Sequence, residues 1–490
     1  MARQRIRDVS RHAALASLMC IAMSGCAFSP AVTGVTEVDT LIPERFDDRV
    51  TRTEMPPMTA WWEQFGDPVL NTVVDSALAQ NRDLRIAAAR VVEVQQQYRI
   101  ARAALLPTAG VGGEVSRTDS PSNTGFSRNI GASVPGFPSR FVNENYSISG
   151  TLSYELDLWG RVRGEKNASL STFLATESEL HGVRIGVVAQ TIATYLELRA
   201  TQEQLNLARE NVDLLSERVD LTQDRYERGI SASFELYAIR QEFQNTRTTV
   251  PLLEASLADA EGRLAVLLGT FSAEIRPLLA GNSGQEVILG DIPSGLPADL
   301  LENRPDIAAA IHRVRASSQS VGAARARLLP TVSLTAVGGV QSAELSELLD
   351  LGQTFSNLVG SLTAPLFRGG ALRAGVEGSE ARLTQAVAQF EQTLLNAFRE
   401  VEVTLISFSK QKQRLAFLNE EQRFAEASLQ TASNRYLRGI GDYVSLLDAH
   451  RNHIRVQTSL VLARRDVANA RLAVHRALGG AWVANPDATP

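Results

Sequence analysis

The residues able to do chemistry are few, and most lie near position 450. Val444, Asp448 and Arg451 stand at i, i+4 and i+7, which puts them on one face of a helix. Read locally, Asp448 and Arg451 form an exposed pair three residues apart, worth a few tenths of a kcal/mol. His450 and His453 are also three apart, with no clear third ligand, and read as ordinary helix-surface histidines rather than a metal site. There is no GxxxxGK[ST], HExxH, GxSxG or CxxC in the chain. The expectation is therefore no enzyme, no metal and no bound cofactor.

One further reactive group stands near the start. Arg3, Arg5, Arg7 and Arg11 precede a short apolar run from Ala13 to Met23, too short to span the ~30 Å hydrocarbon layer. That pattern is a signal peptide over 1–25. It ends in Met23-Ser24-Gly25-Cys26, which resembles the bacterial lipobox, where the cysteine is acylated after cleavage. The other reading is ordinary cleavage nearby, with Cys26 left as a free thiol. Cys20 fits less well, because bulky Leu18 and Met19 precede it. Removing residues 1–25 takes away four arginines and one aspartate and moves the net charge from −5 to −8. No basic surface for nucleic acid is implied. Cys26 is then the one remaining cysteine, so no disulfide within the chain is possible. Ala27, where a retained lipoprotein would carry Asp, favours the outer membrane by analogy with lipoprotein sorting. No later segment offers 18 apolar residues in a row, so any membrane crossing must be made by strands.

These residues sit in a chain written twice. Asn81-Arg82-Asp83-Leu84 returns as Asn303-Arg304-Pro305-Asp306-Ile307, and the Leu105-Leu106-Pro107-Thr108 junction as Leu328-Leu329-Pro330-Thr331. Arg225-Tyr226-Glu227-Arg228-Gly229-Ile230 returns as Arg435-Tyr436-Leu437-Arg438-Gly439-Ile440, and Leu268-Gly269 as Leu478-Gly479. These collinear matches establish a duplication. Each copy reads helix, strand, loop, strand, very long helix, turn, helix. The opening helices are expected over 67–105 and 297–328, each stopped at Leu-Leu-Pro.

The long segments carry heptads. Leu198, Leu205, Val212, Val219 and Tyr226 lie seven apart, and so do Ala200, Leu207, Leu214 and Leu221. In the second copy Leu394, Val401, Phe408, Leu415, Leu429 and Tyr436 keep one register, with Gln422 as the polar exception. Two seams on one helix require a neighbour on both sides. A helix over 160–229 would be ~100 Å long at 1.5 Å per residue, paired with a shorter one over 233–269. Tyr146 to Leu158 alternates strictly, with Ile148, Gly150, Leu152 and Tyr154 on one face and Ser147, Ser149, Thr151 and Ser153 on the other. Val111/Gly113/Val115, Val332/Leu334/Ala336 and Leu358/Gly360/Leu362 are shorter versions, expected to pair as hairpins over 108–158 and 331–366 across loops 117–145 and 342–354. A soluble sheet alternates too, but period two over ten residues or more is what a membrane barrel strand needs. Closed bacterial barrels use about eight strands or more, and this chain has four, so several copies must close one.

A duplicated unit with two hairpins, two ~100 Å helices and a lipobox resembles the TolC/OprM family of outer-membrane efflux proteins, and its lipoprotein branch in particular. The motifs that carry the likeness are Trp61-Trp62-Glu63-Gln64-Phe65-Gly66-Asp67-Pro68, the two Leu-Leu-Pro-Thr junctions and the two Arg-Tyr-x-Arg-Gly-Ile turns. The resemblance implies an α+β homotrimer. Its 12-stranded membrane β-barrel would be continuous with a periplasmic α-helical barrel, girdled by residues near 270–297 and 480–490. The domain reading is then a signal peptide (1–25), a lipidated extension (26–60), a first repeat (61–285), a second repeat (297–480) and a tail (481–490). The implied function is the passive exit channel of a tripartite pump of the resistance-nodulation-division (RND) type. Its implied partners are a periplasmic adaptor, an inner-membrane pump and outer-membrane lipid. Gly229-Ile230 and Gly439-Ile440 would form the tips where the adaptor docks. In a trimer Val444, Asp448 and Arg451 become rings of three, Val444 an apolar constriction and Asp448 the carboxylate of the family's gate. This chain has Ser445 where TolC carries a second aspartate. A type I protein-secretion duct shares the fold, and a structural periplasmic coiled-coil lipoprotein would share the helices; both stay open at this point.

Overall fold

The structure is a computed structural model that describes residues 60–122, 138–279 and 304–480. The signal peptide, Cys26, most of the 26–60 extension, 280–297 of the expected girdle and the 481–490 tail lie outside the described residues.

A short 3-10 turn, Trp61–Phe65, opens the described chain. It leads into α1 (Pro68–Gln80) and α2 (Arg82–Ala103), then strands β1 (Thr108–Pro121) and β2 (Arg140–Leu156). Next come α3 (Arg161–Glu227), α4 (Ser233–Leu267) and the short α5 (Ser272–Leu279). The second copy runs α6 (Pro305–Ala326), β3 (Thr331–Ser342), β4 (Thr354–Thr363), α7 (Ala371–Leu437) and α8 (Tyr443–Ala477). The repeat is metrical as well as sequential: α3 and α7 each have 67 residues, α4 and α8 each 35.

The expected opening helix over 67–105 is two helices. Asn81 breaks it with extended backbone (φ −58°, ψ 133°). Its carboxamide explains why: Oδ1 accepts from the Leu84 N–H at 3.1 Å, and Nδ2 donates to the Leu267 carbonyl at 2.9 Å. An asparagine that caps the next helix competes with continuation of the last. In the second copy the helix begins at Pro305, and 297–303 lie outside the described residues.

The described residues divide into two compact units. The first holds 94–122, 138–173 and 313–387. Its four strands form one antiparallel sheet in the order β1-β2-β3-β4. Gly150 stands opposite Val111 on one side and Gly338 on the other, and Leu152 lies between Ala109 and Ala336. This register keeps the apolar rows of all four strands on one face, as the alternation requires. Both hairpins form as expected, but the first loop is shorter than 117–145. Cross-strand pairs Arg117–Glu144 (2.9 Å) and Arg140–Asp119 (2.8 Å) carry β1 to Pro121 and start β2 at Arg140. Polar pairs extend a ladder as well as apolar ones do, and they leave no alternation to read. Where β2 ends, Asp157 accepts from the Val162 and Arg163 N–H groups and so caps α3.

The second unit holds 60–93, 174–279, 304–312 and 388–480. Its main core gathers Trp61, Phe65, Leu70, Val74, Ile192, Tyr195, Leu264 and Ile275, so the tryptophan-rich opening motif and α5 are packing elements. Asp67 caps α1 through Oδ1, while its Oδ2 accepts from the Tyr195 hydroxyl at 2.6 Å. The end of each shorter helix is clasped at its last carbonyl. Asn81 reaches Leu267 in one repeat, and Arg304 Nη1 donates to Ala477 at 2.6 Å in the other. Leu267 and Ala477 are the same position of the duplicated unit.

The heptads hold in part. In α7 the seam from Leu394 to Tyr436 is buried at Phe408 and half-buried at its other positions. In α3 the second seam is not covered along its length: Leu214 and Leu221 (59% exposed) face outward, and Asn211, Leu215 and Thr222 are buried instead. One chain supplies α3 with a neighbour on one side there.

Candidate functional site at the helix turns

The two long helices end in the same device. Gly229 and Gly439 take φ of 74° and 71°, a left-handed conformation that costs a side-chain-bearing residue about 1–2 kcal/mol. Ile230 N–H then donates to the Arg225 carbonyl (2.8 Å) and Gly229 N–H to Tyr226 (2.9 Å). Ile440 donates to Arg435 (3.0 Å) and Gly439 to Tyr436 (3.0 Å). This crossed pair of bonds is the Schellman cap. Such caps usually bury the apolar residue after the glycine against the helix just ended. Here Ile230 and Ile440 stay 63% and 66% exposed. Each turn thus holds a large apolar side chain in water on a rigid support.

Beyond the second turn, Asp442 starts α8. Its Oδ1 accepts from the Ser445 N–H and its Oδ2 from the Ser445 hydroxyl, both at 2.7 Å. Those two bonds hold the Asp442 carboxyl below the usual carboxylate range. Behind it Leu215 (α3), Ile239 (α4), Tyr443 and Leu447 (α8) form a small buried cluster. Tyr436 of α7 packs edge-on to Tyr443 at 5.6 Å and lies under the Arg225 guanidinium.

The three residues singled out on α8 part company. Val444 (44% exposed) and Asp448, whose side chain is 66% exposed, look into solvent together. Arg451 does not chiefly serve Asp448, which it approaches only to 3.7 Å. Its guanidinium turns instead to Glu242 of α4, donating to Oε2 from Nε at 2.8 Å and closing to 2.6 Å from Nη2. The expected exposed Asp448–Arg451 pair is therefore the weaker half of a bridge whose stronger half joins the two repeats. Glu242 was missed in the sequence. Its signal was a carboxylate three residues after Ile239 and six after Leu236, on the buried stripe of α4.

His450 also departs from expectation. It is buried, not a surface residue, because it continues the stripe Tyr443, Leu446, Leu447 at i+7. Burial first, then the charges of Arg218 and His453, push its imidazole down to about 4, against an opposing pull from Glu242. Among the described residues no group of three His, Cys, Asp or Glu side chains is arranged to hold a metal ion.

The chain is 32% identical over 440 residues to the solvent efflux pump outer membrane protein SrpC of Pseudomonas putida, covering 89% of this chain and 90% of SrpC. It superposes with a TM-score of 0.79 on the crystal structure of a membrane protein from Pseudomonas aeruginosa, at 30% identity, over 88% of this chain and 98% of the other. With the outer-membrane channel OprN the TM-score is 0.78 at 29% identity, over 86% and 92%. The profile of the outer membrane efflux protein family matches residues 73–270 and 296–480. The family is one of outer-membrane efflux channels rather than enzymes. On that match and these likenesses, the chain belongs to the outer membrane efflux protein family.

Proposed function

We propose that three copies of this chain form the outer-membrane exit duct of a tripartite, RND-type efflux pump. Each copy supplies four strands to a 12-stranded barrel, which closes the free edges of β1 and β4. The apolar row of the sheet, with Val111, Val115, Leu358 and Leu362 exposed, faces lipid. Among the described residues no helix is long and apolar enough to cross a membrane. The uncovered seam at Leu214 and Leu221 meets a neighbouring copy. The repeats are 61–285 and 297–480, and cleavage after Gly25 leaves a lipid on Cys26 that ties the 26–60 extension to the same membrane.

The duct is passive. Val444 forms an apolar constriction and Asp448 a ring of carboxylates below it, with Arg451 held to the wall by Glu242. Like charges held close repel, so the ring is opened, or occupied by cations, in use. The cargo is small organic solutes: relatives carry the names solvent, toluene and antibiotic efflux pump proteins.

One observation carries the reading, the two exposed isoleucines on paired Schellman turns. Ile230 and Ile440 dock the hairpin of a periplasmic adaptor. A photo-activated cross-linker placed at Ile440 in living cells is expected to capture an adaptor of the RND type. Capture of a secretion-system adaptor would move the cargo to proteins. Capture of neighbouring subunits alone would remove the docking assignment. In planar bilayers, Val444→Ala with Asp448→Ala should raise conductance; unchanged conductance would remove the gate.

A further inference from the structure

The small apolar cluster behind the second turn borders a polar layer. On α4 the inward stripe runs Leu236, Ile239, Glu242, Thr246. On α8 it runs Tyr443, Leu446, Leu447, His450. From α3, Leu215 and Thr222 are buried, and Arg218 lies between them. One turn past Ile239 on α4 and Leu447 on α8, apolar side chains give way to Glu242 and His450, and the half-buried Arg218 of the oppositely running α3 lies one turn nearer the helix turn than Leu215. His450 occupies the place of the next apolar residue and is 4% exposed.

The charges around it are unbalanced. Arg218 from α3 disfavours a proton on His450, as does His453 from α8. Glu242 from α4 favours one, but its carboxylate is already engaged by Arg451. Asp448, on the same helix, points its exposed side chain to solvent beside Arg451. The phenols on this side are Tyr443 of α8 and Tyr436 of α7, which packs on it.

We propose that His450 is a proton-sensitive latch positioning the gate helix: neutral, it closes the layer between α8, α3 and α4; charged, it drives them apart. The consequence for conduction rests on reading the Val444–Asp448 face of α8 as the gate. Packed, the imidazole titrates near 4, whereas an exposed histidine titrates near 6.5. Loosening therefore takes up a proton. The latch is fully held above about 6.5, where the imidazole is neutral in either state. It is lost as pH falls through the window towards 4, by up to about tenfold per pH unit per chain. Acid would therefore ease opening.

Hydrogen exchange of the full-length protein in detergent tests this, with amide rates across 444–456 corrected for their intrinsic pH dependence. Between pH 7 and 5 the wild type should gain about tenfold or more in opening, and His450→Gln, which cannot charge, should not. Arg218→Gln removes the like charge, brings the packed imidazole closer to its exposed value and should shrink the gain between pH 7 and 5. An equal gain in His450→Gln assigns the acid response to Glu242 or Asp448 and overturns the latch. So does an undiminished gain in Arg218→Gln, which decides the matter alone if His450→Gln fails to fold. Conductance in planar bilayers is the second readout. Exchange behaving as expected while conductance stays flat with pH would leave the latch standing and remove the gate.

Discussion

Glu242 and Arg451 stand 209 residues apart, in different copies of the duplicated unit, and meet at 2.6 Å. The carboxylate is nearly buried while the guanidinium is half exposed. Removing the cation thus leaves a desolvated charge, which is more costly than losing a surface pair. Arg451→Ala should destabilise the tip by roughly 1–3 kcal/mol, discounted for the exposed side of the pair. The double change Arg451→Met with Glu242→Leu should recover most of that. Hydrogen exchange in α4 around 239–246 reads both, and an equal loss in single and double variants would contradict the account.

The glycines separate two causes of intolerance. A Cβ at Gly229 or Gly439 meets no atom within 4 Å, so Gly→Ala there costs only backbone strain, about 1–2 kcal/mol. At Gly269 φ is 66° and the added carbon would stand 2.5 Å from the Gln80 carbonyl oxygen. Gly269→Ala should therefore cost clearly more than Gly229→Ala. Thermal unfolding of the three variants in one detergent checks the order.

The clasps at Leu267 and Ala477 differ in charge, so they should differ in acid sensitivity. Arg304 also binds Asp306 (2.8 Å) and Glu400 (2.9 Å). Burial works to raise the Asp306 carboxyl, but the hydrogen bond and charge of Arg304, with the Ile307 N–H, outweigh it and hold it below the ordinary value. That contribution is complete above about pH 4 and is lost as pH falls through the lower folded value. Acid should therefore loosen the 478–480 amides before the 268–270 amides, whose clasp is the neutral Asn81. Simultaneous loosening would refute the distinction.

The Tyr195 hydroxyl is pushed up, first by burial and then by its hydrogen bond to Asp67. Stability from the neutral phenol is present below about 10 and lost only as pH rises through its higher folded value. Difference absorbance should show Tyr195 still neutral at pH 11 in the folded protein. Tyr195→Phe should cost about 1–3 kcal/mol in thermal unfolding, because Asp67 keeps its cap but loses this donor.

Much of the architecture was legible without coordinates, for reasons of chain geometry. Helix and strand periods are properties of neighbours along the chain, so heptads without proline predicted α3 and α7, and alternation predicted β2 and its row of partners. The repeated Arg-Tyr-x-Arg-Gly-Ile predicted both left-handed turns, because only glycine enters that conformation at little cost. The site was legible to the same depth: Val444 and Asp448 share an exposed face because i and i+4 always do.

Partners distant in sequence were not legible. Where Arg451 points, that Glu242 answers it, that His450 is buried beside Arg218, and that Asn81 breaks a helix to clasp Leu267 all depend on which helices are packed together. Period places a residue on a face, but it does not say what lies opposite, and a polar side chain on a buried stripe takes its role from that neighbour. The sequence alone determined the elements, their lengths and their duplication. The tertiary structure decided which charges are paired, which are buried, and hence which residues can hold or release the tip.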